Sequence, residues 1–533
     1  MKRKPRLLPK PSTPRTLANS PTTNPSPLPI TMKSEVICFE ETPLQFANGQ
    51  RASHPCDGLT LFGPFDSRGV DRPRQITYGV FGTPSGLAAF DAFSQRLRQP
   101  ILSEGDHDPT LWPHFPGFEE AFQVTWDGIP ACQEPIDPAA LHEAISVGDA
   151  HERVYKTVGL YMDQLTAAKR RDDPFQCFIC IVPDEVKQNC RIKSKVFGTA
   201  GRAPKSREIK MRRTMDDLFA STADAFFQPQ QYEFSLDFRR QLKARVMELG
   251  VPVQIVLEST LRLGERQSTK ERGLTPLSDR AWNLATALYY KAGFKPWKLA
   301  TARDGVCYVG IAFKDADEKK SNACCAAQMF LDDGDGVVFV GEFGPWYSPV
   351  TKQYHLPQED ARRLLKDVLD TYDQQHGKPL REVFLHCRSS LDAEELAGYQ
   401  AACPEGVKLV AVRVAEERFG MRLYRPGTRP VLRGTFWPVT DRRGFLWASG
   451  FKPRLRTYNG PDVPIPLVID IQHGDAELET VARDIFALTK LNYNACKLGE
   501  DQPVTVKFSD AVGEILIANQ GAKVKHPNFK YYI

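Results

Sequence analysis

From residue 305 onward, the order of apolar runs restricts the fold more than any other feature of the chain. Three strand-like runs, "GVCYVGIAF", "CCAAQMFLD" and "GVVFVGEF", are joined by short polar or Gly-rich turns. A helical pattern, "PQEDARRLLKDVLDTYDQQ", follows, and then a strand "EVFLHC", a helix "DAEELAGYQAA" and a strand "KLVAVRVA". Alternating apolar residues argue for strand, and apolar residues at three- and four-residue spacing argue for helix. Three strands able to pair as a meander, followed by alternating helix and strand, make an α/β order.

That order is the one expected of a ribonuclease H-like core. Upstream of it, Leu87, Phe90, Phe93 and Leu97 at helical spacing predict a helix over 86–99, and a second is expected over 151–170. The apolar run 176–182 is stopped by Pro183 and followed by "PDEV", which reads as the opening of a βα unit. In "SLDFRRQLKARVMELG", Phe238, Leu242, Val246 and Leu249 share one helical face, with Asp237 near the start and Gly250 at the stop. Its other face presents Arg239 and Lys243, one turn apart. A strand, "VPVQIVLESTL", carries Gln254, and the helix "LSDRAWNLATALYYKAG" has Ser278 or Asp279 as cap, Lys291 near its end and Gly293 as stop. A β-rich portion (420–471), a helix (476–491) and a strand-plus-helix region complete the chain. There is no internal repeat and no P-loop; Gly334 and Gly336 sit in the turn "DDGDGV", where hairpin chemistry explains them.

With 533 residues, 41% hydrophobic and 25% charged, the chain is neither fully disordered, collagen-like nor a disulfide scaffold, and a soluble multidomain protein is expected. No uninterrupted apolar run approaches the roughly 18 residues a membrane span needs. The net charge of +5 suggests nucleic acid, yet residues 1–31 hold six cations and no acid, which leaves −1 for the remainder. Those 31 residues also hold eight prolines and few large apolar groups, so a disordered basic tail is expected. Its "LLPKPSTPRTL" interrupts any secretory core, and Met32 offers an alternative start directly before the strand-like "SEVICF". Cys177 and Cys180 have CxxC spacing within a strand-like run, without a second pair or nearby His, so buried free thiols in a reducing cytoplasm are expected rather than a metal site. The run 191–213 carries nine Lys/Arg against Glu208 alone; it reads either as a solvated loop or as a phosphate- or partner-contacting one.

Several stretches together resemble a short prokaryotic Argonaute, made of MID and PIWI domains. "FANGQRASHPCDGLTLFGPFD" looks like the family's N-terminal segment. "FRRQLKARVMELGVPVQIVLESTL" and "NLATALYYKAGFKPWKL" resemble the MID domain's guide-anchoring helix, strand and following helix. "YVGIAF", "LWASG", "LTKLNYNA" and "PVTVKFSDAVG" look like PIWI landmarks. The resemblance implies an α/β chain, a Rossmann-like MID domain (151–300) followed by a ribonuclease H-like PIWI domain (301–533), after a short mixed N-terminal segment (32–150) and the tail (1–31). The 502 residues from Met32 suit MID plus PIWI and leave no room for an effector.

In this family a Tyr-Lys-Gln-Lys set holds the 5′ phosphate of a guide strand. The resemblance places the last three on Lys243, Gln254 and Lys291, with Asn283 at matching spacing, and the first on Arg239, where a guanidinium replaces the usual aromatic. It also implies a Mg²⁺ ion at the guide phosphate, bound by the C-terminal carboxylate of Ile533. Active relatives cut with an Asp-Glu-Asp-Asp/His set holding two metal ions. Here Ala312 stands for the first Asp and Arg388 for another; Asp510 keeps a carboxylate, and Glu359 is the nearest match to the Glu. A methyl cannot ligate and a guanidinium repels a cation, so no enzymatic activity is expected of this chain. The implied function is recognition of invading single-stranded DNA by a 5′-phosphorylated guide RNA without cleavage. An APAZ-containing partner with a TIR, sirtuin-like or nuclease effector would be activated in prokaryotic immunity, in the cytoplasm and away from membranes. The alternatives are an active metal-dependent endonuclease using other ligands, or a scaffold that stabilises a partner without nucleic acid.

Overall fold

The computed structural model describes residues 35–69, 72, 74–103, 108–171, 174–192, 194, 234–264, 275–315, 323–330, 336–376, 379–417, 420–458, 460, 462–518 and 526–533. The expected tail and nearly all of the basic run 191–213 lie outside them. Short strands β1 (Ile37–Cys38), β2 (Leu44–Gln45) and β3 (Arg51–Ala52) open the described chain. A parallel sheet follows, built from β4 (Tyr78–Gly82), β5 (Cys132–Pro135), β6 (Cys177–Val182) and β7 (Val253–Leu257) in the order β5-β4-β6-β7. Parallel strands covered on both faces read as continuous apolar runs, and all six residues of "CFICIV" in β6 are buried. The division expected at residue 150 cuts through this sheet, because β4 and β5 precede it, β5 pairing with β4 and β4 with β6. Their short strands, set among Gly and Pro, carry too weak a periodicity to be read as part of the same sheet.

Cys177 and Cys180 lie on opposite faces of β6, in two different apolar clusters, so they cannot share an ion. Both are free and buried, and desolvation pushes the Cys177 thiol up to about 12. The helices Pro84–Arg96, Ala150–Lys169, Phe238–Val246 and Leu277–Lys291 flank the sheet close to where their periodicity places them. The last begins after Pro276, which takes the cap position expected of Ser278 or Asp279. Asp279 sits instead in the first turn, where a carboxylate favours the helix dipole.

β8 (Lys298–Leu299) pairs with β2 and leads into the larger sheet. There β9 (Val306–Asp315), β10 (Ala323–Phe330) and β11 (Gly336–Gly344) form the expected antiparallel meander. A small hairpin, β12 (Tyr347–Ser348) with β13 (Gln353–Tyr354), precedes the helix Gln358–His376. β14 (Glu382–Cys387) and β15 (Lys408–Glu416) run parallel beside β9, and β16 (Thr435–Pro438), β17 (Arg443–Trp447) and β18 (Leu467–His473) extend the sheet. The order is β1-β16-β17-β18-β15-β14-β9-β10-β11, so a strand from the start of the chain closes one edge. This is the expected α/β arrangement, its ribonuclease H-like half following from apolar patterning and its Rossmann-like half from the family resemblance.

One ion cluster clamps the N-terminal segment onto the larger sheet. Glu41 lies 2.7 Å from Arg433 and 3.2 Å from Lys490, whose side chains are fully buried. The Lys490 ammonium also donates to the carbonyls of Thr42 and Ser53, at 2.8 Å each. Burial still depresses Lys490 to about 8, which the Glu41 carboxylate only partly offsets.

The helix Val504–Ala518 crosses β9 at Gly310, where a Cβ would lie 2.0 Å from the Thr505 carbonyl oxygen. This close approach accounts for the glycine within "YVGI" and joins two of the sequence landmarks. We expect Gly310→Ala to lower the urea-unfolding stability by about 3 kcal/mol, as for a severe overpacking change. Gly159→Ala, in the helix Ala150–Lys169 with open space around it, should be neutral or slightly stabilising. Equal midpoints for the two variants would contradict the close approach.

Candidate nucleic-acid interface

The two predicted lysines meet at the C-terminal residues of the chain. Asp237 caps the helix Phe238–Val246 by accepting from the Arg240 N–H at 3.1 Å. Phe238, Leu242 and Val246 face the apolar core, and the same packing carries Lys243 out of solvent, to 3% exposure. Its Nζ donates to the Tyr532 carbonyl at 3.2 Å. Lys291 closes the helix Leu277–Lys291, where a cation suits the dipole, and is 1% exposed. Its Nζ donates to the Ile533 main-chain oxygen and, at 3.2 Å, to the Lys530 carbonyl. The C-terminal residues are held from several sides: Tyr531 Oη donates to the Gly250 carbonyl, Tyr532 Oη to that of His526, and Phe529 through Ile533 are buried apart from the half-buried Lys530.

Two buried ammonium groups this close are electrostatically expensive. Desolvation pulls Lys291 down to about 7, helped by the positive charges of Arg239 and Lys530 and resisted by Cys177. Lys243 is pulled well below the usual lysine range by desolvation, then by Lys291 and Arg239. Arg239, in the first turn of its helix, is exposed. Gln254, in β7 opposite Ile179, is half-buried and donates to the Ile255 carbonyl next to it in sequence at 3.3 Å. Asn283 instead accepts from the Cys496 backbone and ties the helix Leu277–Lys291 to the segment after the helix Leu478–Leu488. An anion entering here would meet two desolvated lysines, and its charge would favour their protonated forms. The sequence reading had no signal for Lys530 or Tyr532, which act through main-chain oxygens that carry no residue-type signature.

The second predicted site lies on the larger sheet. Parallel pairing of Cys387 with Ile311 sets Ala312 and Arg388 next to each other. Both line a cleft of about 450 Å³, with Arg413, Glu416 and Arg443 around it. Arg388 is exposed and donates to Gln502 Oε1 and to the Val506 carbonyl, each at 3.2 Å. Glu359 is exposed, pairs with Arg362 within its own helix and does not line the cleft. Asp510 lies on the helix Val504–Ala518, and its side chain is outside the described residues. Among the described residues, the cleft is lined by the guanidinium groups of Arg388, Arg413 and Arg443 and by the carboxylates of Glu395, Glu416 and Glu417. The set His355, Asp392 and Glu395, which the sequence reading missed, is the group of side chains close enough to share an ion. Its three residues are dispersed in sequence and meet only through tertiary packing.

No family model matches the chain. The Argonaute protein of Thermus thermophilus is 28% identical over 259 residues, 48% of this chain and 33% of that protein. Clostridium butyricum Argonaute bound to a guide DNA and a 19-mer target DNA superposes with a TM-score of 0.59 at 13% identity, over 94% of this chain and 55% of that one. A. aeolicus Argonaute superposes with a TM-score of 0.55 at 14% identity, over 94% of this chain and 56% of that one. The chain thus spans little more than half the length of those structures. No helix among the described residues is long and apolar enough to cross a membrane.

Because Lys291 is neutral in the free pocket above about pH 7, and a bound phosphate keeps it charged, binding takes up a proton over that range. Affinity for a 5′-phosphorylated oligonucleotide should therefore fall as pH rises from 7 to 9, by up to about ten-fold per pH unit for each proton taken up. A 5′-hydroxyl oligonucleotide should show no such slope in fluorescence-anisotropy titrations. Parallel slopes for the two would contradict a phosphate seated on these ammoniums.

Proposed function

We propose that this chain, an Argonaute homologue with a MID–PIWI fold, anchors the 5′ phosphate of a guide strand between Lys243 and Lys291 and uses that guide to pair with a target without cutting it. The convergence of the two buried lysines on the C-terminal residues, from helices that both pack on β7, carries this reading. Lys243 and Lys291 neutralise the phosphate, the Gln254 amide supplies a neutral donor, and the exposed Arg239 contacts the next phosphate or stacks on the first base. The site's oxygen chemistry suits Mg²⁺, a hard cation that commonly takes one or two carboxylates together with phosphate oxygens and water. The carboxylate of Ile533, with its main-chain oxygen buried beside Lys291, would be the protein's ligand. When bound, the ion would offset phosphate charge.

In the PIWI cleft, Ala312 offers no ligand, and Arg388, Arg413 and Arg443 supply cations for a phosphate backbone beside Glu395, Glu416 and Glu417. Sequence would be read by base pairing, with the protein holding the strands by charge and shape. The guide is RNA and the target single-stranded DNA from a plasmid or phage. Target pairing activates an associated APAZ-containing protein whose effector consumes NAD or degrades nucleic acid, in the cytoplasm. These assignments rest on the resemblance to short prokaryotic Argonautes.

The Lys243→Ala, Lys291→Ala double variant tests the anchor. Charged hydrogen bonds are worth about 1.5–3 kcal/mol each, so affinity for a 5′-phosphorylated guide should fall about 100-fold or more. Binding of a 5′-hydroxyl guide should change little, which separates a lost contact from a lost fold; an unchanged 5′-phosphate preference would overturn the assignment. A cleavage assay of the guide-loaded chain with a matched target and Mg²⁺ or Mn²⁺ should yield no product. Product that disappears in Asp510→Ala would instead establish a nuclease.

A further inference from the structure

His355, Asp392 and Glu395 sit beside the PIWI cleft, and Glu395 lines one wall of it. His355 follows β13, and its backbone N–H donates to the Trp346 carbonyl at 2.9 Å. Asp392 caps the helix Ala393–Ala402 through Oδ1, which accepts from the Glu395 N–H at 2.8 Å. The connecting loop is pinned at both ends: Ser390 N–H donates to Gln353 Oε1 at 2.8 Å and Leu391 N–H to Gln472 Oε1 at 2.9 Å. The three side chains are therefore presented by a rigid frame.

His355 Nδ1 lies 3.6 Å from Asp392 Oδ2 and 3.5 Å from Glu395 Oε2, and the three ligand atoms are all within 4.8 Å of one another. Those separations are long for hydrogen bonds. They approach the roughly 3.4 Å edge of a tetrahedron with metal–ligand bonds of about 2.0–2.2 Å. Glu395 is 1% exposed; its Oε1 accepts from Tyr399 Oη at 3.2 Å, while its Oε2 and His355 Nδ1 are buried with no hydrogen-bond partner. The other His355 nitrogen, Nε2, lies 3.3 Å from Thr351 Oγ1. With the proton on Nε2, the Nδ1 lone pair faces two carboxylate oxygens, an arrangement that a cation bound between the three groups would satisfy. A capping box explains acids at the N-cap and third helical positions. It does not explain why the second oxygen of Glu395 is buried against an imidazole.

We propose that His355, Asp392 and Glu395 bind a divalent zinc ion, with water in the fourth position facing the groove lined by Trp346, Thr351 and Ser390. One imidazole and two carboxylates suit zinc better than Mg²⁺, so this site is chemically separate from the guide-phosphate ion and stands independently of the guide reading. The ion clips the segment before the helix Gln358–His376 to the start of the helix Ala393–Ala402, and so stiffens one wall of the cleft.

The test uses the full chain, stripped with chelator and titrated with Zn²⁺ by calorimetry, with Co²⁺ as a spectroscopic probe. Native protein should bind one tight equivalent, gain several degrees in thermal midpoint, and give a visible Co²⁺ band typical of nitrogen and oxygen ligands. His355→Ala and the near-isosteric Glu395→Gln should each weaken that equivalent by at least about ten-fold. Unaltered near-ultraviolet dichroism of Glu395→Gln shows that the fold is kept; if it is altered, the Asp392→Asn variant replaces it. Equal zinc affinity in native protein and the variants, no tight equivalent at all, or a thiolate-to-Co²⁺ charge-transfer band would overturn the proposal.

Discussion

Two lysine ammoniums held out of water against main-chain carbonyls form the contact on which the rest of the arrangement depends. Lys243 comes from a helix beside the parallel sheet, Lys291 from the helix leading into the larger one, and Tyr532 and Ile533 from the last residues of the chain. Joining them brings the first half of the chain onto its end. The free pocket retains an electrostatic cost, visible in the depressed Lys291. Between pH 7 and the unperturbed lysine range Lys291 holds a proton in the unfolded chain that it has lost in the folded one, so this group's contribution to ligand-free stability rises with pH there.

A second buried ion cluster does different work. Glu41, Arg433 and Lys490 satisfy one another and several backbone carbonyls, leaving no comparable opening for a ligand. Its role is to fasten the N-terminal segment to the larger sheet, where β1 already closes an edge. Trp297, Tyr493 and Lys490 extend this fastening, with the Trp297 indole donating to the Lys490 carbonyl at 3.1 Å and Tyr493 Oη to that of Trp297 at 2.9 Å. The landmarks "LTKLNYNA" and "KPWKL" thus meet in one junction.

The cleft on the larger sheet carries both signs of charge, Arg388, Arg413 and Arg443 with Glu395, Glu416 and Glu417. Parallel register places Ala312 beside Arg388. Arg388 is braced by Gln502 and Val506. The cleft wall formed by Glu395 shows that carboxylate chemistry persists a short distance away, on a different frame.

The fold was legible wherever apolar periodicity was strong: the meander, the alternating helices and strands after it, and the fully buried "CFICIV" strand all follow from spacing. The short strands Tyr78–Gly82 and Cys132–Pro135 were not, because four or five residues among glycines and prolines carry little periodic signal, and so the boundary at residue 150 cuts a sheet. The lysines of the pocket, like Ala312 and Arg388, could be named only through the resemblance to a known family, because helix position and residue type alone describe ordinary surface residues. Sequence could not show that both lysines are buried, that Lys530 and Tyr532 serve them through main-chain oxygens, or that His355 faces Asp392 and Glu395. Residue type and spacing determine local conformation and the chemistry available at each position. Burial, and the meeting of distant side chains, arise only when the sheets and helices pack, because desolvation and proximity depend on what lies across the contact and not on what lies next in the chain.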